Sequence, residues 1–137
     1  MSTDVIELDE FSAALNRILD DLERVVDDGR PEVVRESAKT ARKEWSRGAK
    51  ANFGGTGAYA SSVSYKVFQD TDSVTKADVG SSTLPGLPHL LEKGHAKVGG
   101  GRVAGRPHVE PAAEAAMEQL EEHMGLLVDR AIRTAAS

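Results

Sequence analysis

The chain has no cysteine among its 137 residues. Disulfide staples, cysteine-based zinc sites and thiol catalysis are therefore excluded. Aromatic residues are scarce, with one Trp, two Tyr and three Phe, too few for the exposed rings of a single-strand nucleic-acid platform. No apolar run approaches the roughly 20 residues that a membrane helix needs. The opening, MSTDVIELDE, is acidic and lacks an apolar stretch, so no signal peptide is expected. With a net charge of −5, the chain also lacks the overall excess of cations that marks an ordinary nucleic-acid binder.

What is present is the composition of a single soluble globular domain, 39% hydrophobic and 28% charged. Its charge is segregated. Residues 1–29 carry nine acids against two bases, residues 30–50 seven bases against three acids, residues 84–108 a balance of +3, and residues 109–137 a balance of −4. Such blocks suit either docking between subunits or pairing of acidic and basic helices inside one monomer.

Apolar residues at Leu8, Phe11, Leu15, Ile18, Leu22 and Val25 predict an amphipathic helix, with Asp4 or Asp9 near its positive end. Gly29 is expected to end it and Pro31 to open a second helix. That second helix buries Val34, Ala38, Ala41, Trp45 and Ala49 and presents a basic face of Arg35, Lys39, Arg42, Lys43, Arg47 and Lys50. Gly54, Gly55 and Gly57 stop it. Alternation over Ser62–Val67 and again over Val74–Val79 predicts an antiparallel hairpin turned at Asp70–Ser73. His89–Lys93 reads as one helical turn capped by Gly94, and Pro111 as the start of a last helix. The apolar face of that helix is Ala113, Ala116, Leu120, Met124, Leu127 and Ala131, widened by Met117, Val128 and Ile132. The expected class is α+β in one domain spanning residues 1–137. It has two N-terminal helices, a small antiparallel β-sheet, a long glycine-rich basic loop at about residues 81–108, and a C-terminal helix packed on the sheet.

The stretch LLEKGHAKVGGGRVAGRPHVEPAAEAA, Leu90–Ala116, concentrates five glycines and four cations. His89, His95 and His108, with Glu92 and Glu110, raise a metal site, but their spacing is not that of zinc pairs. GGGRVAG lacks the strand before it and the Gly-Lys-Ser/Thr ending of a phosphate cradle. The serines at 61, 62, 64, 81 and 82 sit in no nucleophile pattern. The reading is therefore no enzyme, with no catalytic, cofactor-binding or metal-ligating residues, which leaves binding. The basic helix face suits DNA phosphates or an acidic protein surface. A small DNA-binding or regulatory protein is one function class that follows.

The same stretch resembles the signature of the head–tail joining family of long-tailed bacteriophages, also called neck, tail-completion or minor tail-component proteins. The likeness lies in the Leu-Leu-Glu-Lys-Gly-His run at Leu90–His95, the Gly- and Arg-containing loop, and Arg106-Pro107-His108-Val109-Glu110-Pro111-Ala112. Upstream, TGAYASSV resembles the family's Thr-Gly-x-x-x-x-Ser approach to its first strand, at Thr56, Gly57 and Ser61 or Ser62. The match covers about a third of the chain. It departs at Val98 and Gly99–Gly101, where the family often carries Arg or Asn.

The resemblance implies a virion protein, made in the host bacterial cytoplasm, that forms a homo-oligomeric ring at the head-to-tail junction with DNA passing through it. Its partners would be other copies of itself, a head-completion or connector protein on one face, and a tail tube or terminator protein on the other. Contact with DNA in the lumen would be non-specific, and no membrane is involved. A related alternative is a tail terminator ring. The residues expected to touch neighbouring subunits are Leu90, Leu91, Glu92, Lys93, Gly94, His95, Lys97, Arg102, Val103, Arg106, Pro107 and His108, on a loop mobile until assembly.

Overall fold

The structure is a computed structural model that describes residues 8–136. Asp4, one of the two expected N-terminal acids, lies outside them. In chain order the elements are α1 (Leu8–Phe53), α2 (Ala58–Ser62), β1 (Val63–Thr71), β2 (Val74–Ser81), α3 (Leu87–Lys93), β3 (Gly94–Ala96), β4 (Arg102–Ala104) and α4 (Val109–Ala136). The class is α+β, with a long N-terminal helix and a C-terminal helix packing with a small antiparallel sheet.

The two expected N-terminal helices are one. α1 runs unbroken for 46 residues with Pro31 inside it, although an interior proline costs a helix about 3 kcal/mol. Tertiary packing overrides that penalty. α4 runs antiparallel along α1, with His108 beside Gly48, Ala116 beside Ser37 and Leu127 beside Gly29, so it splints the Gly29–Pro31 junction from one side. A Cβ on Gly29 would lie 2.5 Å from a methyl of Leu127. Gly29 thus marks a close approach rather than a helix end. An Arg30–Asp27 ion pair at 2.8 Å spans the same turn.

Small residues set the spacing of the two helices. Ala38, Ala49, Ala112, Ala116 and Ala131 are buried with Leu127. The Ser37 hydroxyl donates to the Ala116 carbonyl at 2.6 Å, and Thr40 donates to Gln119. The buried stripe of α4 is narrower than its apolar pattern: Ala113, Met117, Val128 and Ile132 are exposed, and Leu120 and Met124 half-buried. Ala112, not Ala113, enters the core.

β1 and β2 pair from Val63↔Ser81 to Thr71↔Val74, with an irregularity between Gln69 and Thr71. The hairpin is fastened to α1 where Arg42 Nε donates to the Val63 carbonyl at 3.2 Å and the Ser46 hydroxyl to the Ala60 carbonyl at 2.9 Å. Thr75, Ala77 and Val79 of β2, with α1 and α4, enclose an open apolar groove of about 450 Å³. The main core, Trp45, Ala49, Tyr59, Ala60, Val63 and Ala112, sits at the C-terminal end of α1.

The long loop expected at residues 81–108 is largely structured. α3 and the β3–β4 hairpin occupy it, with Gly94↔Ala104, His95↔Val103 and Ala96↔Arg102 paired. Its tip turns at Gly99, Gly100 and Gly101, all with φ between 81° and 113°, where a side chain would be strained.

Gly48 and Gly125 separate contact from helix propensity. A Cβ on Gly48 would lie 2.9 Å from the His108 Cβ, whereas at Gly125 it would meet nothing within 4 Å. Gly48→Ala is expected to cost about 1–3 kcal/mol by overpacking, and Gly125→Ala to gain up to about 1 kcal/mol. Urea unfolding of the two variants should give opposite signs.

Candidate functional site

The two halves of the Leu90–Ala116 stretch meet at the N-terminus of α4. A helix start leaves its first four backbone N–H groups without partners. Here these belong to His108, Val109, Glu110 and position 111. The Glu92 carboxylate accepts the first three, at 2.7, 2.8 and 2.9 Å. The fourth does not exist, because position 111 is proline. Every orphan donor is thereby accounted for, by one side chain reaching across from α3 and one proline.

Burial alone would push the Glu92 carboxyl up. The three backbone donors, helped by the adjacent His108 ring, outweigh that and hold it below the ordinary carboxylate value of 4.5. The positive end of α4 favours the same charge. Glu92 is 9% exposed and His108 2%.

A second chain of polar groups runs inward from there. His108 Nδ1 faces two acceptors, the Arg106 carbonyl at 2.8 Å and Glu92 Oε1 at 3.0 Å, so it carries the ring proton. Its Nε2 then accepts from the Tyr59 hydroxyl at 2.6 Å. That hydroxyl in turn accepts from the Trp45 indole N–H at 2.9 Å. The hydrogen bonds thus run without a break from the Trp45 indole through the Tyr59 hydroxyl to the His108 ring. Burial pushes the Tyr59 phenol up, against the Trp45 hydrogen bond and with help from the Glu92 charge, which keeps it a donor. Trp45, Phe53 and Tyr59 all meet the His108 ring edge to face, at 5.0–6.4 Å between centroids.

The upstream TGAYASSV segment feeds this junction. Gly57, at φ 78°, turns the chain into α2, which delivers Tyr59. Ser62, not the exposed Ser61, is buried, bonded to the Tyr59 carbonyl at 2.6 Å and to Ser81 at 2.7 Å.

These contacts correct part of the expected subunit-facing set. Glu92 and His108 are interior groups holding α4, and Gly94 is buried where two backbones cross: a Cβ there would meet the Val103 carbonyl oxygen at 2.4 Å. Leu91 packs against the core and His95 is half-buried. Leu90, Lys93, Lys97, Arg102, Val103, Arg106 and Pro107 do lie exposed on one end of the molecule. Arg106 is partly engaged, its guanidinium bonded to the Asn52 carbonyl and 6.0 Å from the Phe53 ring centre.

Half of the basic face of α1 is paired within its own helix. Arg35 pairs with Glu32, Lys39 with Glu36 and Arg47 with Glu44, each one turn back, while Arg42 is turned to Val63. Lys43 and Lys50 have no carboxylate partner among the described residues.

Neither Tyr59 nor Trp45 was expected in a polar chain, and no periodicity signals a contact between residues 14 positions apart.

Two outcomes follow. The lowered Glu92 pKa means that the folded state gives up its proton more readily than the unfolded chain does. Its contribution is therefore complete above the ordinary carboxylate value and is lost as pH falls through the lowered one. Glu92→Gln should lower the thermal midpoint at neutral pH, by about 1.5–3 kcal/mol of stability, and the gap to the parent should close in acid. Tyr59→Phe should cost about 1–3 kcal/mol by stranding the Trp45 N–H and His108 Nε2, read in unfolding followed by the fluorescence of the single tryptophan.

Compared with known proteins, the chain matches no family model, no curated protein and no solved structure.

Proposed function

We propose that this chain is a structural virion protein of a tailed bacteriophage, a ring subunit at the head-to-tail junction through which DNA passes. The observation that carries the reading is the junction at α4. The Leu-Leu-Glu-Lys-Gly-His run and the Arg-Pro-His-Val-Glu-Pro run, which carry the family resemblance, are joined by the buried Glu92 at the start of α4, while Leu90, Lys93, Arg106 and Pro107 of the same runs are exposed. Glu92 of the first run and His108, Val109 and Glu110 of the second thus depend on one another physically. The exposed remainder of the stretch supports a contact role. Lys93, Lys97 and Arg102 stand free of carboxylates among the described residues, and Val98 is fully exposed.

A neck subunit and a free DNA-binding protein differ in what they need. The free binder needs unpaired cations along one surface, and three of the six cations on the basic face of α1 are already paired within the helix. That favours the assembly reading.

Phage carrying a null allele of this gene should yield DNA-filled heads and complete tails that do not join, seen by electron microscopy. The chain should be found by mass spectrometry in joined particles and be absent from headless tails, where a tail terminator would remain. Because Gly94 and Gly105 lie against each other, a chain lacking residues 98–104 can close through a three-residue loop. It is expected to fold yet fail to enter particles. Normal joining by the null phage overturns the proposal.

A further inference from the structure

We infer that the N-terminal end of α1 in one copy docks, head to tail, on the β3–β4 end of a second copy. The inference rests on the ring reading above and names the contact that reading lacks. Three observations carry it.

The first is an unpartnered amphipathic face. From residue 8 to residue 20 every residue except Ala14 is exposed, because α4, whose Leu127 lies beside Gly29, ends nine residues on, at about residue 20 of α1. The exposed set includes the apolar stripe itself: Leu8 at 77%, Phe11 at 53%, Leu15 at 45% and Ile18 at 44%. A stripe of this width is the face a helix normally buries. The molecule as a whole shows the same excess. Its accessible surface is 9394 Å², against about 6,900 Å² for a compact monomer of this mass.

The second is charge. The tip carries Asp9, Glu10, Asp20, Asp21 and Glu23, and of its two arginines Arg24 is already paired with Asp21. Two tips laid together would set acid against acid, so the tip is unsuited to pairing with its own counterpart.

The third is a complementary surface at the far end of the same helix. Phe53, Leu90, Leu91 and Val103 line an apolar cavity of about 370 Å³, with Leu90 42% and Val103 36% exposed. Arg106 lines the cavity too, and Lys93, Lys97 and Arg102 lie on the neighbouring α3, β3–β4 turn and β4. None of these cations meets a carboxylate among the described residues. The 46 residues of α1 place the two surfaces roughly 70 Å apart, so one chain cannot satisfy both itself. A contact between two different surfaces of identical subunits is heterologous, and it closes into a ring when the rotation per step permits. Opposed charges steer the encounter and an apolar centre holds it.

The test exchanges the charges. One full-length variant carries Asp20→Lys, Asp21→Lys and Glu23→Lys; the other carries Lys93→Glu, Lys97→Glu and Arg102→Glu. All six sites avoid the buried α4 junction. In low salt, sedimentation should show each variant self-associating about tenfold more weakly than the parent, or worse, and an equal mixture regaining association. Because the chain has no cysteine, a Leu15→Cys, Val103→Cys variant should also oxidise into a ladder of linked chains.

Association of the parent that survives both reversals overturns the docking and leaves the ring reading standing. So does cross-linking of Leu15→Cys to Met117→Cys, in the groove between α1, β2 and α4, in place of Val103→Cys. A parent that stays monomeric at every concentration also overturns the docking, while the null-phage experiment judges the ring reading separately.

Discussion

The fold depends on one buried carboxylate. Glu92 stands at the end of a seven-residue helix that has little stability of its own. It accepts three hydrogen bonds from the first turn of the 28-residue α4. Hydrogen bonds to a charged group contribute about 1.5–3 kcal/mol each in favourable cases, a large share of the 5–15 kcal/mol that typically separates folded from unfolded domains. The same contact fixes where α4 begins and so where it meets α1. A helix that started one turn later would move Ala112, Ala116, Leu127 and Ala131 off their places in the core.

The interior explains why a polar junction matters this much. The buried apolar residues are dominated by alanine, with Ala38, Ala49, Ala60, Ala112, Ala116 and Ala131 set beside only four larger side chains, Trp45, Tyr59, Val63 and Leu127. Each alanine removes little apolar surface from water. Alanine's value here is proximity: backbones come close enough for Ser37 and Thr40 to bond across to α4. A thin core of this kind needs its polar groups satisfied, because an unmet donor costs more than an alanine gains. The unbroken sequence of bonds from Trp45 through Tyr59 to His108 meets that requirement at the junction.

Much of this was legible in the sequence, and the rest failed for identifiable reasons. The buried residues Ala38, Trp45 and Ala49, the β1–β2 hairpin and the short helix closed at Gly94 follow from local periodicity and turn chemistry. Local rules misplace the Gly29–Pro31 junction because its helicity is imposed by α4, some hundred residues later in the chain. The β3–β4 hairpin was hidden because each strand has only three residues, too few to show alternation. Glu92 reads by composition as a solvated charge among cations. Only the arrival of three backbone donors from residues 16 to 18 positions away makes it structural, and no pattern of spacing encodes that.

The Leu90–Ala116 stretch sorts by direction. Leu91, Glu92, Gly94 and His108 face inward or sit at a backbone crossing. Val98 and Gly99–Gly101 form the exposed turn between β3 and β4. Residues bound to each other through a buried network cannot change singly without cost, whereas a solvated turn can be rewritten freely. The surfaces left unpaired when the fold is complete are an acidic apolar helix end and, at the other end of the same helix, a basic apolar hairpin.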